Sequence, residues 1–429
     1  MSGTHKISLS SAVLINLNVM IGSGIFINTV ILSKNAGGLG ALAYLTVGVL
    51  ILPLILSISR LSQLHGGGSF FDYGSNLGSY AGFVTSVSYF FAKLASCALG
   101  IHVSISLLQT LFEPLARIPT LWIDLLVILF FMFLNTRNLR VGKQIQVWFV
   151  ICKFVPILFV VFTGLYLFNP GNFAAAHLYP MGIMTSVPFI LHAFMGFEIS
   201  CSLSRSLENP EKNGPRAVLY AYGLGVALVC IFQFLFYGAL GTMFEGLGSY
   251  LDAFPALIGL LPGLSLPTAE LFKGILHIGI ALSALGAAYG IMYSNAWNLF
   301  ELAARKQIFK PAFFARLNVH HIPLVCVFVE ALVAALYLIV TGGYQVPLQQ
   351  VAAYGSTIAY SLSALGLVAV IYRIEKRIAF WPLLGVGSCC LLIGFMMRNF
   401  YLYGFLPPIV FTIVLLGASL LLRQKPVEN

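Results

Sequence analysis

The run Met20-Ile21-Gly22-Ser23-Gly24-Ile25-Phe26 stands near the middle of an apolar stretch covering residues 8–33. That stretch is long enough to cross a bilayer core of about 30 Å as a helix, which takes about 20 apolar residues. A lone glycine there would carry no message, because glycine is common in membrane helices. Two glycines flanking a serine, with Asn16 and Asn18 just ahead, predict that the helix unwinds. Backbone at membrane depth gives up its helical hydrogen bonds only where protein or a water-filled cavity replaces them. The competing reading is a small-residue face for close helix packing.

The rest of the chain has the same character. Of 429 residues, 59% are hydrophobic and 8% charged, and the mean hydropathy is +0.95. A soluble domain carries about 25% charged residues. The composition excludes a soluble enzyme, a disordered chain and a nucleic-acid binder, and leaves an all-α integral membrane protein. Breaks at charged or Gly/Pro clusters predict twelve transmembrane helices near 8–33, 38–63, 80–111, 120–137, 144–168, 183–204, 217–243, 269–300, 322–341, 346–372, 379–397 and 403–422. The first reads as an uncleaved membrane helix. Lys and Arg collect in cytoplasmic loops. With both termini cytoplasmic, 17 of the 23 basic residues fall inside, among them Arg137, Arg140, Lys143, Arg205, Arg305, Arg377 and Lys425. Four fall outside (Lys34, Arg117, Lys273, Arg398), and two, Lys93 and Lys153, fall within spans. This orientation reads the net charge of +10 as topology. The loops are short, and the chain reads as a single transmembrane domain, 1–429.

Span 6 carries a second interruption in Phe189-Ile190-Leu191-His192-Ala193-Phe194-Met195-Gly196-Phe197-Glu198, with a glycine and an ionisable residue at mid-span. Interrupted spans in corresponding positions of two halves point to a transporter site. They imply a five-plus-five inverted repeat: repeat one about 8–168, repeat two about 183–372, and two appended helices about 379–422. A half-helix starting after Gly24 offers free N–H groups and a positive dipole end to an anion. Half-helices ending near Met20 and Met195 offer free carbonyls to a cation. A zwitterionic amino acid carries both charges.

Several motifs then resemble one family. Met20 to Phe26 resembles the first-span signature of the amino acid–polyamine–organocation (APC) superfamily of amino acid permeases and antiporters. Gly67-Gly68-Ser69-Phe70-Phe71-Asp72-Tyr73 resembles its segment before span 3. Leu134-Asn135 to Pro156 resembles the span-4/5 block, with Asn138 in place of the usual glycine. Phe194-Met195-Gly196-Phe197-Glu198 matches its F-x-G-F-E, and Asn209-Pro210-Glu211-Lys212 with Pro215-Arg216-Ala217 matches its following loop. Leu302-Ala303-Ala304-Arg305 to Pro323 resembles the span-8/9 loop, with Asn298 where an arginine is usual. The resemblance implies a LeuT-like fold with discontinuous helices 1 and 6, and secondary transport of amino acids by alternating access. It implies no cofactor and no catalytic or metal-ligating residues.

A charge at the bilayer centre costs about 2.5–3.5 kcal/mol on insertion scales, so each one needs a reason. Lys153 lies roughly 14 Å into span 5 at about 1.5 Å per residue. The resemblance gives it the place of a built-in substitute for a sodium ion, bridging span 5 to the unwound part of span 1, and so a role in proton coupling; a permanently charged strut is the alternative. Lys93 lies roughly 18 Å into span 3. Facing the cavity, it would disfavour arginine-like or polyamine substrates, since like charges repel at low dielectric, and would suit an acidic or polar side chain. An internal pair with Glu198, or with a scaffold residue such as Glu330, is the alternative. Glu198 is expected to brace the span-6 break and to contribute to proton coupling. By the resemblance, the substrate-binding set comprises Met20, Gly22, Ser23, Gly24, Ile25, Lys93, Cys97, His192, Met195, Gly196 and Met292, with Tyr89 and Phe194 as gates.

The seven cysteines lie in apolar runs without metal spacing, and no nucleophile or carboxylate set converges to suggest a membrane enzyme. A channel would show a continuous polar stripe, whereas polarity here clusters at mid-depth breaks. A transporter-like sensor and an exchanger without net proton coupling remain open readings. The partners expected are a small amino acid, protons and the lipid bilayer, with an oligomer open and no nucleic acid. The expected location is the cytoplasmic (inner) membrane.

Overall fold

The computed structural model describes residues 6–423 apart from 67, 138, 175, 204–205 and 377–378. Gly67 and Asn138 of the motifs, and Arg205, Arg377 and Lys425 of the charge pattern, lie outside the described residues, as do the side chains of Arg140 and Lys143. The described chain is helical. It contains no β-strand, only three isolated bridges.

The first apolar stretch is indeed two helices. α1 (Leu9–Met20) and α2 (Gly24–Ala36) meet at a 43° bend. α3 (Gly40–Leu64) follows, then the short α4 (Phe70–Ser75), the long α5 (Ser79–Gln109), α6 (Thr120–Asn135) and α7 (Leu139–Tyr166). The second interrupted region comprises α8 (Val187–Phe194) and the single turn α9 (Ile199–Ser202). Then come α10 (Pro210–Leu240), α11 (Leu266–Ala304), α12 (Leu324–Thr341), α13 (Gln345–Glu375), α14 (Phe380–Tyr403) and α15 (Leu406–Leu421). Short turns in the connections are not labelled.

Among the described residues eight helices are long and apolar enough to cross a membrane: α3, α5, α7 through residues 148–166, and α10 to α14. The bent α1–α2 pair makes a ninth. α6 and α15 are apolar but have 16 residues each, short of the usual span. The chain is a multi-pass membrane protein.

Burial sorts the helices into two shells. α5 and α11 form the mostly buried axis and pack on each other. α6 turns Trp122, Leu126, Leu129, Phe130 and Phe133 outward, and α15 turns Ile409, Val410, Ile413, Leu416 and Leu420 outward. An outer face this apolar belongs against hydrocarbon rather than water. Polar side chains gather instead around the two interruptions.

Candidate functional site

The two broken helices are stitched to each other. α1 ends because Gly22 and Gly24 flank a serine, and α8 ends where Met195 turns extended. Asn16 of α1 donates from Nδ2 to the Phe197 carbonyl at 2.5 Å and to Ser200 Oγ at 3.1 Å, and its Oδ1 accepts from Ser200 N at 2.7 Å. Asn28 of α2 donates to the Phe189 carbonyl at 2.7 Å. The Asn16 amide thus satisfies backbone of the break that lost its helical partners, as membrane depth demands.

Two glycines permit this approach. Gly196 has φ of +129°, and a Cβ there would sit 2.5 Å from Met20 N. A Cβ on Gly24 would sit 2.9 Å from the Ala193 Cα. Gly196→Ala is therefore expected to add about 1–3 kcal/mol of backbone strain on top of the clash, lowering the unfolding temperature in detergent. Unfolding of that variant at the wild-type temperature would show that the contact is loose.

Lys153 is fully buried on α7. Its Nζ donates to the Asn18 carbonyl at 2.6 Å and to the Ile21 carbonyl at 2.6 Å, both at the break of α1. Ser283 of α11 donates to the same Ile21 carbonyl at 3.1 Å. Carbonyl dipoles freed by the unwinding thereby hold an ammonium where a metal cation would otherwise suit.

Lys93 on α5 pairs with Glu198 at 2.5 Å, and both side chains are buried. The pairing left open between Glu198 and Glu330 is thus with Glu198. Glu198 Oε1 also accepts from the Tyr89 hydroxyl at 3.0 Å, and Oε2 accepts from Gly196 N at 3.0 Å. One carboxylate therefore ties α5 to the non-helical backbone between α8 and α9. The Tyr89 ring stacks on Phe70 of α4 with centroids 4.0 Å apart, and Lys93 lies 5.2 Å above Tyr89.

A small cavity of ≈ 20 Å³ lies at the break. Of the residues expected to bind substrate, Met20, Gly22, Ser23, Gly24, Lys93, His192 and Met195 line it. Val19, Ser96, Gly100, Ala287 and Ile291 complete the wall. Ile25 and Gly196 are not on its wall, although Gly196 abuts the backbone of Met20, which is. Cys97 and Met292 do not face it: their neighbours Ser96 and Ile291 do, Cys97 bonds to the Ala288 carbonyl at 3.6 Å, and Met292 lines a different cavity. Ser96 was not singled out from the sequence, although it lies one helical turn beyond Lys93 and so shares its face. His192 Nδ1 lies 3.4 Å from Ser96 Oγ.

Aromatic and polar contacts flank the cavity. On one side the rings of Tyr89, Phe70, Tyr360 and Phe197 form a layer, beyond which Arg305 pairs with Asp72 at 2.6 Å. On the other, Gln349 donates to Asn28 Oδ1 at 3.0 Å, and Phe194 packs on Tyr44 at 5.8 Å between centroids. The space holds about one water, so a larger molecule enters only when helices part. Among the described residues no group of three His, Cys, Asp or Glu side chains is placed to hold a metal ion.

Residues 7–417 match a family model described as amino acid permease. The chain is 23% identical to the amino-acid permease AapA of Bacillus subtilis over 328 residues, which is 71% of this chain and 66% of that protein. It is 25% identical to an arginine/ornithine antiporter of Latilactobacillus sakei over 76% of this chain and 70% of that protein. It is 24% identical to a D-serine/D-alanine/glycine transporter of Escherichia coli over 72% of this chain and 67% of that protein. The chain spans just under two thirds of the length of AapA.

Proposed function

The chain belongs to the amino acid permease family, and on that premise we propose that it moves an amino acid across the cytoplasmic membrane by alternating access. Its relatives are by name permeases, an antiporter and a transporter, not enzymes. In this reading α1–α2 and α8–α9 are spans 1 and 6 of twelve. They occupy matching places in two inverted repeats, about 8–168 and 183–372, with 379–422 appended and both termini cytoplasmic.

The observation that carries the proposal is the junction itself. Two interrupted helices face each other across a small cavity, and the first turn of α2 has N–H groups without intrahelical acceptors. The substrate carboxylate sits on the N–H groups of Ser23, Gly24 and Ile25. Its ammonium meets carbonyls near Met20, His192 and Met195. Lys153 carries the coupled proton, and Tyr89, Phe194 and Glu198 move as the two sides open in turn.

The wall favours a small, uncharged side chain. Gly24, Ser96, Gly100 and Ala287 leave little to displace, and Lys93 on the wall repels a guanidinium or ammonium. Purified protein in proteoliposomes, tested with a panel of labelled amino acids, decides the matter. Small neutral amino acids are expected to enter, faster when the outside is acidic, and arginine and polyamines not to compete. Absence of uptake and of exchange for every amino acid would end the transport reading. Exchange that ignores the pH gradient would favour the antiporter reading, with Lys153 as a fixed strut.

A further inference from the structure

Buried polar atoms gather where α1, α7 and α11 meet, off the wall of the substrate cavity. Asn18 Nδ2 donates to the Gly286 carbonyl at 2.9 Å and reaches Gln146 Oε1 at 3.5 Å. Asn18 Oδ1, Gln146 Nε2, the Tyr289 hydroxyl and both amide atoms of Asn135 have no hydrogen-bond partner among the described residues. All four residues are buried, Asn135 the least so at 6% exposed. Each buried unpaired polar group costs about 1–3 kcal/mol, and native cores leave few of them. Five such atoms call for another partner.

These atoms lead from Lys153 toward a second cavity. Lys153 holds the Asn18 carbonyl, and Gln146 lies two helical turns before Lys153 on α7, on the same face. Gly286 and Gly290 of α11 admit the two amides: a Cβ would lie 3.1 Å from Asn18 Oδ1 at Gly286, and 3.3 Å from Gln146 Oε1 at Gly290. Tyr289, beside Gly290, and Asn135 line a cavity of ≈ 10 Å³ whose wall includes Arg137. That volume is about one water, and the site is polar enough to hold it. Arg137 is exposed and stacks over Phe133. No residue is shared with the substrate cavity.

We propose that Asn18, Gln146, Tyr289 and Asn135 line a hydrated proton route from Lys153 to the end of the bundle that bears Arg137, separate from the substrate path. The proposal rests on Lys153 as the proton carrier. The Lys153 ammonium gives its proton to a water beside the break, and hydrogen-bonded waters pass one proton on to bulk. Gln146, Asn135 and Tyr289 order these waters and keep their own protons. Among the described residues the ionisable groups on the second cavity are Tyr289 and Tyr293 of α11 and Arg137 behind α6. α1 contains none, and α10 and α12 bring none to the wall.

Two measurements test the route. Hydroxyl-radical footprinting of the wild-type protein is expected to oxidise Tyr289 several-fold faster than Phe236, which is equally buried and away from both cavities. Equal slow labelling would show a dry core and overturn the proposal. In proteoliposomes, Gln146→Leu is expected to keep substrate counterflow at equal pH and to lose acceleration by a pH gradient, while Gln146→Asn, which retains an amide, keeps both. Full gradient response in Gln146→Leu, or equal loss of counterflow, would also overturn it. If the wild-type protein itself ignores the gradient, the role of Lys153 falls, and the footprint alone decides whether the route is wet.

Discussion

Lys153→Ala is expected to abolish the response of uptake to a pH gradient, so that rates with and without the gradient coincide. The reason lies in what Lys153 holds. Its ammonium bridges α7 to two carbonyls at the break of α1, and no carboxylate among the described residues pairs with it. A neutral amine, with fewer donors and no net charge, binds those carbonyl dipoles less tightly. Each hydrogen bond from a charged donor is worth about 1.5–3 kcal/mol, enough to shift a two-state equilibrium by an order of magnitude or more. On the proposed reading, protonation favours α1 docked on α7, and loss of the proton would free it to swing. Alanine removes the dependence altogether. Uptake by Lys153→Ala that still accelerates in an acid-outside gradient would place coupling elsewhere, with the buried Glu330 of α12 as the next residue to change. The assay must include counterflow, because a variant that has lost all exchange reports on folding instead.

How much of this was legible beforehand depends on the kind of information each residue carries. The interruptions at Gly22-Ser23-Gly24 and Gly196 were legible because glycine beside polar residues at mid-span has few other uses. The depth of Lys153 followed from counting residues along one helix. The partner of Lys93 did not follow, because choosing between Glu198 and Glu330 requires knowing how α5 is rotated against two different neighbours. The cavity wall shows the same limit at finer scale. Cys97 and Met292 were expected on it, and the structure sets Ser96 and Ile291 there instead. Adjacent residues of a helix point about 100° apart, so a displacement of one position in a distant resemblance turns a side chain away. The grouping of Asn18, Gln146 and Asn135 was not legible at all: amides on three segments carry no shared spacing, and only packing brings them together.

The buried ion pair gives the second large effect. Lys93→Met leaves Glu198 with the Tyr89 hydroxyl and Gly196 N but without its counter-ion, and Glu198→Gln leaves an unpaired ammonium in the core. Removing one member of a buried pair costs about 3–5 kcal/mol. Each single variant is expected to lose that much in stability, read as a large fall in unfolding temperature in detergent. Lys93→Met/Glu198→Gln has no net buried charge to strand, and replacing both partners is often nearly neutral. The double variant is therefore expected to be more stable than either single one. Additivity within about 0.5 kcal/mol would mean that the two residues do not interact in solution. The same variants separate architecture from selectivity. If the pair only braces the break, the stable double variant transports the wild-type range of substrates. If Lys93 excludes cations from the cavity, the double variant admits arginine, which the wild-type protein is expected to refuse. The second outcome is expected, because Lys93 forms part of the cavity wall whereas Glu198 lies behind it, and a positive charge at low dielectric repels another at close range.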